Sequence, residues 1–225
     1  MGSAPCIIAG GLEALILTPD SISELLEPYT GMAEGANAGE TDWPGIYDKL
    51  IIYLELILKW NARINLTAIR TPEEIVRRHF GESLFVAAHL GECGTLLDFG
   101  SGAGFPGIPI QLLRSEVQVT LAESHGKKAA FLREVIRNLE LTTEVWTGRV
   151  EAMPGTRRFD VVTLRAVDKM ERAVREAGIR ASKRVLLVGT ARQTNYAAFV
   201  EGFRMEAPLA LPGSRDGVLW IAHRC

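Results

Sequence analysis

The chain has 225 residues, of which 47% are hydrophobic and 23% charged, and its formal net charge is −2. That is enough apolar content for one substantial core. The charge is too balanced for a nucleic acid to be held by an overall basic field, so such a partner needs a local basic patch.

In chain order, residues 1–42 form a variable N-terminal segment. Its apolar stretch 6–17 contains Glu13 and has no basic leader, so it does not read as a signal peptide. No apolar run in the chain reaches the roughly 18 residues of a membrane span. Pro19-Asp20-Ser21 opens a short helix, and Thr30 to Asp42, rich in Gly and Ala, reads as a loop. From Trp43, Ile46, Leu50, Tyr53, Leu54, Ile57 and Leu58 recur at helical spacing and form one apolar face that ends near Asn61. "TPEE" starts the next helix, with Thr71 as cap, Pro72 in the first turn and Glu74 reaching back as a capping box. This helix turns Ile75, His79, Phe80, Leu84 and Ala87 inward. Residues 43–90 are therefore predicted to form a helical subdomain.

From residue 91 to 225 the texture alternates. Apolar strands are predicted at 95–99, 117–122, 143–147, 159–163 and 184–188, with helices at 107–114, 126–139 and 168–180. Such alternation means parallel strands joined by crossover helices. Two last strands, 203–209 and 217–223, flank "LPGSRDG" as an antiparallel hairpin. The fold class is α/β: a mostly parallel, doubly wound sheet with an antiparallel edge hairpin.

The first strand runs into "DFGSGAGFPGIP". In open parallel sheets ligands bind beyond the carboxyl ends of the strands, and the first turn is the usual place. Gly100, Gly102 and Gly104 let the backbone bend and remove side chains that would block a ligand. Counted from Gly100, the third position of the dinucleotide pattern G-x-G-x-x-G is Phe105, which argues against pyrophosphate docking. Asp98, expected to face the site, would repel pyrophosphate and suit a cation. S-adenosylmethionine, a sulfonium without phosphate, meets that requirement. Glu123 ends the second strand, where a carboxylate accepts the hydroxyl protons of a ribose. The cysteines at 6, 93 and 225 form no C-x-x-C pair, and the four histidines fall at no metal-ligand spacing. A reducing, cytoplasmic setting without metal fits this usage.

"LLDFGSGAGFPGIPI", "LAESHGKKAAFLREV", "GRVEAM" and "FDVVTLRAV", preceded by "KWNARINLTAI" and "RRHFGESL", resemble the RsmG (GidB) family over about residues 46–190. Members are bacterial methyltransferases that use S-adenosylmethionine to methylate N7 of a guanine in 16S ribosomal RNA. The resemblance implies a Rossmann-like class I methyltransferase domain over 91–225, with 16S rRNA or the small subunit as partner. It also implies a monomer, no membrane and no metal. It assigns cofactor contacts to Gly100, Phe105, Val150 and Glu151, and places Arg165 beside the cofactor or the target base as the catalytic candidate. The alternative for Arg165 is an ion pair with Asp160 or Glu151. Three positions depart from the family pattern: Glu82 and Glu123 stand where it has aspartate, and Val188 where it has lysine.

Guanine N7 carries a lone pair and no proton, so alignment rather than a general base is the task. Phosphate contacts are expected from Arg78, Lys127 and Lys128. The rival readings are a small-molecule or protein methyltransferase with the same cofactor domain, a nicotinamide oxidoreductase, and an RNA-binding module without activity.

Overall fold

Thr95–Phe99 (β1) becomes the central strand of an eight-stranded sheet whose order is β3-β2-β1-β4-β5-β8-β6, with β7 also on β8. The structure, a computed structural model, describes residues 17–34, 41–192 and 201–225; the apolar stretch 6–16 and most of the glycine-rich segment after Glu34 lie outside them. The parallel strands are β1, β2 (Gln118–Glu123), β3 (Glu144–Thr147), β4 (Phe159–Arg165) and β5 (Ala181–Thr190). Helices α5 (Gly107–Leu113), α6 (Gly126–Asn138) and α7 (Met170–Arg180) make the crossovers. The chain runs outward from β1 to β3 and then returns to the other side of β1 as β4. The switch point lies between β1 and β4, where such sheets bind ligands.

The antiparallel part differs in detail from the predicted hairpin. The last strand, β8 (Gly217–Arg224), lies between β5 and β6 (Phe203–Met205) and pairs antiparallel with both. The predicted strand 203–209 is broken into β6 and the two-residue β7 (Leu209–Ala210). Pro208 stands at the break, where it has no N–H for a ladder.

Upstream are α1 (Pro19–Glu34), α2 (Trp43–Asn61), the single turn α3 (Pro72–Glu74), a π-helical stretch Ile75–Gly81 and α4 (Glu82–Ala88). Helix α1 runs through Thr30–Glu34, where the sequence read as loop. Its buried residues Ile22, Leu26 and Tyr29 fall on one face, and that packing overrides the weak propensity of Gly31. Tyr29 lies on Gly81, where an added Cβ would come within 2.3 Å of its ring. Thr71 does not cap through the backbone; its hydroxyl donates to the Glu74 carboxylate at 3.0 Å instead.

One apolar cluster joins these helices to α5, α6 and the sheet face that carries Leu96, Leu121 and Val161. A second lies on the opposite face under α7, around Leu97, Val162 and Leu187. Among the described residues no helix is long and apolar enough to cross a membrane.

Candidate active site

Beyond the carboxyl ends of β1, β2 and β4 opens a cleft of about 650 Å³, a volume in the small-molecule range. The glycine turn forms its floor. Gly102 has φ +57°, a conformation that side chains rarely adopt, and a Cβ added to it would meet nothing closer than the Gly100 carbonyl oxygen at 3.8 Å. Its bare α-carbon therefore faces open cleft. Gly104 is different. It does not line the cleft, and a Cβ there would come within 2.5 Å of Ile108 and 2.6 Å of the Tyr53 hydroxyl. That glycine serves packing, not the ligand, which corrects its predicted role. From beneath, the fully buried Tyr53 donates its phenol proton to the Ala103 carbonyl and pins the turn to α2.

Counted from Gly102 rather than Gly100, the turn does satisfy G-x-G-x-x-G, with Gly107 in third place. Gly107 lets α5 approach the sheet: a Cβ there would lie 2.4 Å from Leu121 and 2.9 Å from Asp98. The motif therefore does not by itself reject a dinucleotide.

Glu123, at the tip of β2, accepts from the Gly102 amide at 2.9 Å and from the His125 amide at 2.6 Å. A carboxylate has about four acceptor positions, so room for two more donors remains. Just after β3, Val150 and Glu151 form a 3₁₀ turn on the rim. The turn is held by the buried Arg180, which donates to the carbonyls of Val150 at 3.2 Å and Met153 at 3.1 Å. The Glu151 carboxylate is engaged by Arg172 at 3.2 Å.

Asp98 does not face the cleft, contrary to the expectation. Side chains alternate along a strand, and Asp98 shares the side of Leu96, beneath α5. It is fully buried, accepting from the Thr163 hydroxyl at 3.0 Å and the Gly107 amide at 3.2 Å. Burial raises its carboxyl to about 6, against the pull of these hydrogen bonds. A carboxyl raised in this way stabilises the fold below its unfolded value near 3.8 and loses that contribution as pH rises through about 6. Ionisation at neutral pH then costs about 3 kcal/mol. Asp98→Asn keeps an acceptor for Gly107 and offers Thr163 a donor. It should melt several degrees above the unsubstituted protein at pH 8, with the gap closing between pH 6 and 4. A variant less stable than the unsubstituted protein at pH 8 would show that the turn needs the ionised carboxylate.

The other wall belongs to the helical segment. Asn61 accepts from the amides of Leu66 and Thr67 and donates to the Thr67 carbonyl. This shapes the loop Leu66–Thr67–Ala68 that borders the cleft. The His79 ring stacks on Phe105, with centroids 4.6 Å apart. Arg165, at the tip of β4, donates through Nη2 to the Glu82 carboxylate at 2.6 Å and the Arg78 carbonyl at 2.9 Å. Its ion-pair partner is thus Glu82, not Asp160 or Glu151. Burial pushes the Glu82 carboxyl up and the Arg165 guanidinium down, and their mutual attraction offsets both shifts.

Sequence comparison agrees with this architecture. Residues 46–196 match the GidB family model, described as rRNA small subunit methyltransferase G. The chain belongs to the GidB family. A GidB relative from Pseudomonas aeruginosa, named ribosomal RNA small subunit methyltransferase G, is 37% identical over 183 residues, covering 79% of this chain and 86% of the relative. One of the same name from Xanthomonas campestris is 39% identical, covering 73% and 80%. A third, from Xanthomonas euvesicatoria, is 46% identical, but the match spans 54% of this chain and 57% of that protein's length. Among solved structures, MtNAS in complex with MTA and tNA aligns with a TM-score of 0.57 at 17% identity, over 93% of this chain and 90% of that one. The ribosomal protein L11 methylase from Lactobacillus delbrueckii subsp. bulgaricus aligns at 0.54 and 13%, over 66% and 80%. These two likenesses concern the fold, a Rossmann-like class I methyltransferase domain.

Within this GidB chain, Gly100, Gly102, Phe105, Glu123, Lys128, Val150, Glu151 and Arg165 all border the cleft. Asp98, Gly104, Arg78 and Lys127 do not; the last two are exposed outside it. Sequence reasoning missed Thr67 and His79 as lining residues, although both lie in stretches that carry the family resemblance.

Proposed function

We propose that the protein transfers a methyl group from S-adenosylmethionine to N7 of a guanine in 16S ribosomal RNA, in the cleft above the glycine turn. The observation that carries this is Glu123 at the tip of β2, hydrogen-bonded to the amide of Gly102 beside that glycine's open α-carbon in one cleft, in a chain of the GidB family. The residues present fit the cofactor. Glu123 has acceptor positions left for ribose hydroxyls. The Val150–Glu151 turn offers a bed for the adenine. Arg165, at the tip of β4, borders the same cleft. When bound, S-adenosylmethionine supplies an activated methyl group on a sulfonium.

What this chain's own residues do is align. Guanine N7 presents a lone pair without a proton, so the reaction calls for a fixed approach and exclusion of water, which lower the barrier by several kcal/mol. The Leu66–Ala68 loop and the Phe105–His79 stack close the side facing the helical segment. Because N7 lies on an edge hidden in the deep groove of an RNA helix, the target is a loop or splayed nucleotide.

RNA phosphates are met by Lys127 and Lys128 on α6 and by the exposed Arg78 of the helical segment, with Arg149 and Lys169 also bordering the cleft. Changing Lys127 and Lys128 together to Glu should weaken RNA binding and lower its salt slope by roughly 2, the value for two lost phosphate contacts. Affinity for S-adenosylhomocysteine should fall much less. Equal losses for RNA and cofactor would assign the pair to the cofactor or to the fold.

The proposal is tested by incubating the protein with labelled S-adenosylmethionine and small subunits from cells lacking this gene. Digestion to nucleosides should yield labelled 7-methylguanosine. Label in another nucleoside, or in protein, would favour a different acceptor.

A further inference from the structure

The wall of the cleft opposite Glu123 holds two buried N–H groups that the fold leaves unused. His79 Nδ1 and Arg165 Nη1 are both shut off from solvent and have no partner among the described residues. Both residues border the cleft and meet at Phe105, on which the His79 ring stacks at 4.6 Å and over which the Arg165 guanidinium lies 6.0 Å from the ring centroid. A buried donor left unpaired costs about 1–3 kcal/mol, so each marks a place where the fold itself supplies no acceptor.

The His79 tautomer follows from its other nitrogen. Nε2 lies 2.7 Å from the Thr67 hydroxyl oxygen, which already accepts from the Ile69 amide at 3.1 Å. The hydroxyl proton has no other acceptor among the described residues, so it is assigned to Nε2, and the ring proton falls on Nδ1. The ring stays neutral: burial, then Arg165 and Arg78, lower it to about 3.

The receptor as a whole carries little net charge. Arg165 is matched by Glu82, whose side chain is 7% exposed and 2.6 Å away. A carboxylate placed against this pair would also face Glu82. A carbonyl oxygen, with partial negative charge only, matches it better. The guanine edge that exposes N7 carries such an oxygen, O6, beside it; adenine carries an amino donor there.

We propose that the unpartnered N–H groups of His79 and Arg165 bind O6 of the target guanine, so that one contact both aims N7 at the methyl donor and rejects adenine. This rests on the reading of the cleft given above. Thr67 is then a positioning residue, since it fixes the imidazole proton on Nδ1.

The test uses small subunits reconstituted with 16S rRNA that carries either guanine or 2-aminopurine at the methylated position; the latter keeps N7 and lacks O6. The unsubstituted protein should methylate guanine about 10- to 100-fold faster. His79→Phe keeps a ring on Phe105 and removes the donor. It should slow guanine toward the 2-aminopurine rate and leave S-adenosylhomocysteine affinity unchanged. His79→Asn, with an amide N–H near the place of Nδ1, should restore much of the preference. Equal rates on both bases by the unsubstituted protein would overturn the proposal, and this measurement decides even if the Phe variant fails to fold. Loss of cofactor affinity in His79→Phe, with base preference intact, would overturn it by assigning the donors to the cofactor. Failure of the unsubstituted protein to make any 7-methylguanosine would overturn the reading of the cleft itself, and this inference with it.

Discussion

Gly102→Val should cost at least about a hundredfold in affinity for S-adenosylhomocysteine, roughly 3 kcal/mol, while the protein remains folded. The two effects separate because of where the side chain goes. A Cβ at this position meets only a backbone oxygen at 3.8 Å, so the valine displaces no core residue. Its branches enter the open cleft above the turn that the ligand requires. The φ of +57° adds a strain of about 1–2 kcal/mol, a loss of a few degrees in melting temperature. Gly102→Ala, with one methyl, should lose about tenfold or less. Calorimetric titration with S-adenosylhomocysteine measures both variants. Unchanged affinity in the valine variant would remove the turn from the binding site.

Arg165→Met should be the most destabilising single change near the cleft. It leaves the Glu82 carboxylate, 7% exposed, with only the exposed Arg78 at 3.8 Å in place of its cation at 2.6 Å, and frees the Arg78 carbonyl. Breaking a buried pair from one side costs about 3–5 kcal/mol, which for a chain of this size lowers the melting temperature by roughly 10 °C. The second change Glu82→Leu removes the stranded charge and should recover most of that stability. Methyl transfer should be slowed in both the single and the double variant, because the guanidinium on the cleft wall is missing in each. A double variant that regains activity would make Arg165 a structural residue alone.

The sheet was legible because its signals are local. Strand and helix periods alternate from Thr95 onward, and β1 was expected at the residues where it occurs. Helix α7 begins at Met170 rather than 168 because Lys169 takes a left-handed φ of 54°. The site was legible only where one residue type at one strand tip carries the meaning, as with Glu123. Pairings across the chain were not. Glu82 lies 83 residues from Arg165. The nearer carboxylates considered first are occupied elsewhere, Asp160 by Lys183 at 3.1 Å and Glu151 by Arg172. The error on Asp98 has a simple origin. The alternation of β1 puts it on the side of Leu96, but only the placement of α5 and the helical segment tells which side is covered. Helical spacing turned His79 inward but could not show what it meets, because Thr67, Phe105 and Arg165 come from three separate elements.

The most direct test is the structure of the protein with S-adenosylhomocysteine bound. The account predicts the ribose hydroxyls on Glu123, the adenine beside Val150 and Glu151, and the sulfur directed toward the wall of His79 and Arg165. A ligand seated elsewhere, or a Glu123 that keeps only its bonds to Gly102 and His125 while the ribose binds other groups, would contradict it.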